Sequence, residues 1–301
     1  MLISFGGPVS GAWAEPALVS RFAARAEELG YQGYWTFQRL LVGAGQDLDP
    51  VYRRVLDPML TLAYAAACTR TIRLGVAVLN LPYLSPAYLA KQAATLDVLS
   101  GGRAVLGLGT GWSEPEFRAT GSDPRPRGRR TEEYLAVLRT LWNDPVAGFA
   151  GDLYEVPPSV MDPRPVRPGG PPILLGGTAE VALRRAGRLA DGWVSSSRAS
   201  FAEISRGVRI VRQAAEQAGR DPDAVQIVVR GVVAAGRRDD SLPLSGDWSQ
   251  IRAGAERFAE AGVTELFYDL NWDPVIGSPE AEARRAADRA EEILTRLAPA
   301  G

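Results

Sequence analysis

Eight short apolar runs, each followed by a stretch of helical periodicity, limit what this chain can fold into more than any other feature. The runs are Leu2 to Phe5, Gly33 to Phe37, Ile72 to Asn80, Ala104 to Gly109, Ile173 to Gly177, Gly192 to Ser196, Gln226 to Val233 and Glu265 to Leu270. Helical patterns follow at Ala17 to Leu29, Asp57 to Cys68, Pro86 to Leu99, Glu132 to Trp142, Ala179 to Ala190, Phe201 to Ala218, Ser249 to Ala261 and Glu280 to Leu297. Strands apolar on both faces need cover on both, and a helix after every strand supplies it around a parallel sheet. Eight such units predict an α/β fold, the (β/α)8 TIM barrel, which takes about 250 residues as one domain; the alternative is an open doubly wound sheet. The 301 residues are read as a single domain, 1–301.

The clearest unit is IRLGVAVLNLPYLSPAYLAKQAATLDVLSGGRAVLGLGTGWSEPE, residues 72–116. Ser85 is placed to cap a helix whose apolar positions are Leu89, Ala93, Leu96 and Leu99, and Gly101-Gly102 stops it. Two stretches are too long for ordinary turns. Leu40 to Leu56 follows the second strand; Asn143 to Pro172 follows the fourth helix and contains a predicted small hairpin at Phe149 to Tyr154. Both are candidate walls of a pocket.

Composition narrows the chemistry. With 34 basic and 35 acidic residues interspersed, the chain lacks the field of a nucleic-acid binder, so a small-molecule substrate is expected. No run approaches membrane-spanning length and the N-terminal MLISFGG does not read as an export signal, which leaves the cytoplasm as the expected compartment. Cys68 is the only cysteine, expected as a buried reduced thiol. Histidine is absent, which removes the commonest general base and metal ligand. No close cluster of acids resembles a carboxylate metal site either, so an organic cofactor is expected and no metal.

In a barrel the ligand lies at the C-terminal ends of the strands. The residues there are Gly6-Gly7, Gln38-Arg39, Val78 to Asn80, Gly109 to Trp112, Gly176-Gly177-Thr178, Ser195 to Ser197 and Asp269 to Trp272. The set is glycine-rich and short of bases, suited to holding a cofactor. Gly176, Gly177 and Thr178 precede a helix start, where free amides bind phosphate. Gly109, Thr110 and Gly111 make a similar loop, but Glu114 stands where a dinucleotide fingerprint has its third glycine. Arg230 and Asp269 interrupt adjacent apolar strands; they read as an ion pair inside the barrel or as groups facing substrate. The run Arg125, Arg127, Arg129, Arg130 reads as a solvated approach to a helix, or as partner for an acidic cofactor tail.

These motifs resemble the luciferase-like monooxygenase superfamily, and within it the coenzyme F420-dependent oxidoreductases. The resemblance rests on IRLGVAVLN followed by LAKQAATLDVLSGGRAVLGLGTGW, with support from EELGYQGYW, RTEEYLAVLRTLW, GDLYEVPP and ADGW, in that order along most of the chain. It implies a barrel, commonly a homodimer, that binds F420 with the deazaflavin against a bulge in the third strand. A cis peptide is implied there between Ala77 and Val78, with Asn80 at the strand's end. Gly109, Thr110 and Gly111 would line the ring, and Gly176, Gly177 and Thr178 would hold the phosphate.

Two departures matter. Relatives often carry Asp-His after the tryptophan of strand two, whereas here Trp35-Thr36-Phe37 leads to Gln38-Arg39. Arg39 is always charged and cannot act as an acid, though it can stabilise negative charge. Some sugar-phosphate oxidising relatives carry a Glu directly after the glycine loop, where this chain has Trp112, which argues against a glucose-6-phosphate dehydrogenase. Glu114 and Glu116 are the nearest carboxylates, as proton donors or as acids at a helix start. The expected activity is hydride transfer between F420 and a small organic substrate, in the direction of reducing an activated C=C, C=N or C=O bond. The alternatives are an FMN-dependent two-component monooxygenase and a cofactor-binding protein without turnover.

Overall fold

The structure, a computed structural model, describes residues 1–299; residues 300 and 301 of the expected domain lie outside it. In chain order its elements begin β1 (Leu2–Gly6), α1 (Pro16–Glu28), β2 (Gly33–Thr36), α2 (Pro58–Cys68), β3 (Arg73–Asn80), α3 (Pro86–Ser100) and β4 (Ala104–Gly109). There follow α4 (Glu114–Ala119), α5 (Arg127–Asn143), the hairpin strands β5 (Ala147–Ala150) and β6 (Glu155–Ser159), β7 (Ile173–Gly176), α6 (Glu180–Leu189) and β8 (Gly192–Val194). The chain closes with α7 (Phe201–Gln217), β9 (Gln226–Ala235), β10 (Leu244–Gly246), α8 (Trp248–Glu260), β11 (Glu265–Asp269) and α9 (Ala283–Arg296). Parallel pairing runs β1-β2-β3-β4-β7-β8-β9-β11 and returns from β11 to β1, so the sheet is a closed eight-stranded barrel. Closure leaves no edge, which an open sheet would expose.

All eight predicted strands form. β9 runs two residues beyond the expected Val233 because β10 pairs with its end, Leu244 opposite Val233 and Gly246 opposite Ala235. Nothing in the polar stretch before β10 marks it as a strand; only the partner makes it one. The hairpin forms, with β5 and β6 flanking the predicted turn. Ser85 caps α3 through its side chain, and Gly101 ends the helix in the left-handed region at φ 67°. On α3, Leu89, Ala93 and Leu96 are buried, whereas Leu99 is exposed. Two successive steps of three residues carry Leu99 about 80° off the core face, so Ser100 faces inward instead. Cys68 is half-buried at the end of α2 and not in the core.

The barrel interior is layered. A polar cluster fills the N-terminal end, where the fully buried Glu265 accepts from Ser4 Oγ at 2.6 Å and Trp35 Nε1 at 2.7 Å and pairs with Arg73. Above it lies an apolar layer of Trp35, Ala77, Val105, Leu174, Val194, Val228 and Phe267, in which the Trp35 and Phe267 rings stack at 5.2 Å. The aliphatic core packs outside the sheet, under the helices.

Glu27 on α1 fastens the turn into β3. Its carboxylate accepts from the amides of Arg70 at 2.9 Å, Thr71 at 2.6 Å and Ile72 at 2.8 Å. Partial burial acts to raise its pKa, but the three amides and the Thr71 hydroxyl outweigh it and hold the carboxyl below its ordinary 4.5. Glu27→Ala should cost about 1–3 kcal/mol at neutral pH. Because folding lowers this pKa, the contribution is complete above 4.5 and is lost as pH falls through the lower folded value. Urea denaturation of both proteins at pH 7 and pH 3 should show the difference shrinking in acid.

Candidate functional site

At the C-terminal end of the barrel, β3 breaks register with β4 between Val76 and Leu79, and the Ala77–Val78 peptide is cis, as the resemblance implied. The bulge turns Val78 sideways over its neighbours. A Cβ added at Gly109 would lie 2.6 Å from Val78 Cγ2, and one added at Gly176 would lie 3.2 Å from Val78 Cγ1. These glycines therefore make room for the bulge, and open the mouth to a ligand only through it. Gly111, at φ 72°, comes against Tyr83 and Phe117 in the same way. Gln38 latches the end of β3, its Oε1 accepting from Asn80 N at 2.9 Å and Asn80 Nδ2 at 3.1 Å.

Arg230 and Asp269 do form an ion pair inside the barrel, Nε to Oδ2 at 2.6 Å. Asp269 Oδ1 accepts from the backbone and side chain of Asn271, which in turn accepts from Ser10 N and Trp13 Nε1. Arg230 Nη1 donates to the carbonyl of Ala77 at 3.3 Å, and the guanidinium lies 4.4 Å from the Phe37 ring centre.

A second buried pair joins the loop after β2 to α4. Arg39 and Glu116 approach to 3.0 Å with side chains 4% and 2% exposed, so water screens little of their attraction. Glu116 Oε1 also accepts from the amides of Leu40 and Leu41, fixing the start of the long loop after β2. The Arg39 guanidinium packs against two aromatic rings that meet edge to face, 4.3 Å from the centre of Trp112 and 4.7 Å from that of Tyr52. Trp112 itself is more than half exposed. The hydroxyl of Tyr83 is buried without a hydrogen-bond partner; burial, then the charge of Glu116, pushes its pKa far above the phenol range and keeps it protonated.

Gly176, Gly177 and Thr178 lead into α6, whose N-cap is Ala179 and carries no side-chain cap bond. Thr178 does not cap it, so the first-turn amides have no side-chain partner, and Gly177 takes φ 138°, a conformation that side chains disfavour. The acid in that turn, Glu180, is paired with Arg184 and Arg206.

The structure thus brings Gln38, Arg39, Ala77, Val78, Asn80, Gly109 to Gly111 and Glu116 to one mouth, with Gly176 to Thr178 at its rim. Glu114 falls outside, 74% exposed and facing Arg118 along α4. Among the arginine run, Arg129 pairs with Asp152 and Arg130 donates to Tyr154, so these side chains hold the hairpin to α5. Sequence reasoning missed Tyr52 and Tyr83. Tyr52 belongs to the insertion expected to wall the pocket, but nothing in its surroundings marks it as the ring that meets Arg39. A cavity of about 430 Å³ opens above the inner face of β9, lined by Val232, Ala234, Leu242 and Trp272 with Arg198 and Arg237 at its edge. No group of three or more metal-ligating side chains occurs among the described residues, and no described helix is long and apolar enough to cross a membrane.

Comparison with known proteins agrees with the fold. The profile of the luciferase-like monooxygenase family matches residues 4–243. An uncharacterised protein of Mycobacterium tuberculosis is 33% identical over 252 residues, 83% of this chain and 79% of that protein. An FMNH2-dependent dimethylsulfone monooxygenase of Pseudomonas putida is 29% identical over 278 residues, 91% of this chain and 72% of that one. The solved structure of an F420-dependent secondary alcohol dehydrogenase, in complex with an F420–acetone adduct, superposes with TM-score 0.78 over 98% of both chains at 18% identity, a likeness of fold.

The bulge's dependence on its glycine seat is open to direct measurement. Gly109→Ala should force Val78 out of place and lower stability by about 1–3 kcal/mol, read as a fall in the urea midpoint.

Proposed function

The chain belongs to the luciferase-like monooxygenase family, and on that premise we propose that it is an F420-dependent oxidoreductase that reduces an activated C=C, C=N or C=O bond of a small organic substrate. The observation carrying this reading is a mouth that holds buried positive charge and no free base. Its buried carboxylates, Glu116 and Asp269, are each locked to an arginine and to further donors; the two aspartates lining the adjoining cavity, Asp239 and Asp273, are engaged by Ser241 and Arg289, and the chain has no histidine. Alcohol oxidation needs a group to take the hydroxyl proton; reduction needs stabilisation of developing negative charge, which Arg39 supplies in a site shielded from water.

The residues fit a flat ring with a phosphate tail. Ala77, Val78 and Asn80 give the bulge its surface, and Gly109, Thr110 and Gly111 form the adjoining loop. The uncapped start of α6 with Gly176, Gly177 and Thr178 suits the phosphate. When bound, the deazaflavin supplies the hydride chemistry and, having carbon in place of the flavin N5, does not activate oxygen. The protein's part is orientation and electrostatics. Glu116 and Gln38 act as positioning residues, the first for Arg39 and the second for the end of β3. Tyr83, kept protonated, is a hydrogen-bond donor at the loop. Trp112 and Tyr52 pack against Arg39 and help keep water from it.

The Pseudomonas relative named for FMNH2 supports a second reading, an FMN-dependent monooxygenase supplied with reduced flavin. Both rings share a tricyclic shape and a phosphate, so the mouth accommodates either argument. We further propose a homodimer, supported by exposed Leu60 and Tyr64 on α2 and Tyr88 and Leu99 on α3.

Equilibrium titration with F420 and, separately, with FMN decides between the readings. Micromolar or tighter F420 binding with weak FMN binding is expected, followed by F420H2 oxidation on a panel of unsaturated carbonyls and imines. Preference for FMN with oxygen uptake moves the chain to the monooxygenase reading. F420 binding without turnover makes it a carrier. Arg39→Ala should lower kcat about 100-fold or more with a smaller change in KM.

A further inference from the structure

Arg230 crosses the barrel from wall to wall. Its strand, β9, and the bulged β3 stand on opposite sides of the closed sheet, four strands apart either way round. One donor of the guanidinium is tied to Asp269 beside it and another to the Ala77 carbonyl on the far wall. Nη2 is left over, buried and without a hydrogen-bond partner, on a residue only 9% exposed.

Nothing in the protein completes it. Asp269 Oδ1 is taken by Asn271, and the Ser195 hydroxyl accepts from the backbone amide of Arg230 and donates to the Ser196 carbonyl. Phe37 covers one face of the guanidinium, and the layer toward the barrel centre is apolar. A charged donor buried without an acceptor is unfavourable, and such groups gather where a ligand supplies the missing atom. The same guanidinium donates to the bulge carbonyl, so a molecule resting on the bulge is placed to supply the acceptor.

We infer that Arg230 recognises the electron-accepting edge of the bound tricyclic ring, Nη2 donating to an oxygen or nitrogen of its carbonyl-bearing portion. This rests on the cofactor reading above and goes one residue further. F420 and FMN share that edge, so the inference is the same for both. A fixed donor with positive charge there interacts more strongly with the reduced ring, which is more electron-rich at that edge, than with the oxidised one. Arg230 therefore sets the balance between the two ring states, in addition to bracing the barrel.

The test is the ratio of the dissociation constants for oxidised and reduced ring, measured anaerobically with F420 and with FMN, together with the midpoint potential of the bound ring. Arg230→Met leaves Asp269 buried and unpaired, so Arg230→Met/Asp269→Asn is made alongside it to keep the interior neutral, and circular dichroism checks folding. The unaltered protein should favour the reduced ring at least tenfold more than the double variant does. For a two-electron couple that is a potential about 30 mV lower in the variant. Arg230→Lys, which keeps the charge but loses the fork, should fall between. A purely structural role weakens both ring states equally, so an unchanged ratio and potential in a folded variant overturn the inference while leaving the cofactor assignment standing. Failure of the unaltered protein to bind either ring overturns both.

Discussion

The guanidinium of Arg230 is the tie on which the upper half of the barrel depends. It joins β9 to its neighbour β11 through Asp269 and to the opposite wall through the carbonyl of Ala77. Asp269 continues the tie through Asn271 to Trp13 and Ser10, in the loop that leaves β1. One charged group thus fixes the relative position of four strand ends around the mouth. Burying it is costly unless each charge is paired, and the Asp269 carboxylate meets that need while leaving part of the guanidinium for a ligand.

Below this tie the interior is filled by side chains. The stacked Trp35 and Phe267 rings occupy the middle, and the Glu265 cluster with Ser4 and Arg73 closes the N-terminal end. Close packing there transmits position. Trp35 donates to Glu265 at one end of β2, and three residues further on Gln38 receives the amide and side chain of Asn80. The glycines of β4 and β7 belong to the same logic, since they seat Val78 and so give the bulge its shape. The Arg39–Glu116 pair extends the scaffold outward, anchoring the long loop after β2 through the amides of Leu40 and Leu41.

The strands were legible because their apolar runs are short, β-branched and bounded by glycine and proline, and because a helix follows each. Gln38, Arg39 and the glycine loops were legible as site residues from the barrel's rule that ligands meet the strands' C-terminal ends. The rule placed residues without orienting them. Glu114 and Glu116 look alike along the chain, yet α4 turns one to solvent and the other onto Arg39, a difference of helical phase. Gly109 read as an opening for a ligand, and its empty side is instead taken by Val78, one helix earlier in the chain. β10 and the packing of Tyr52 and Trp112 on Arg39 were invisible, because each depends on a partner brought up by distant chain.

The sequence by itself determined the barrel, the order of its strands, the absence of histidine chemistry and the set of residues at the mouth. Local periodicity, capping and composition carry that information, and they act over spans shorter than one β/α unit. Only the tertiary structure chose between the readings left open and showed which carboxylate Arg39 meets. Arg230 with Asp269 was one of two readings its adjacent strands allowed, but its reach to Ala77 depends on closure of the sheet, which brings opposite walls within reach of one side chain, and Arg39 meets Glu116 only because the loop after β2 and α4 fold together. Pairing inside a low-dielectric interior rewards contact within a few ångströms far more than proximity along the chain, so no pattern in the sequence could have distinguished Glu116, buried on Arg39, from its solvated neighbour Glu114.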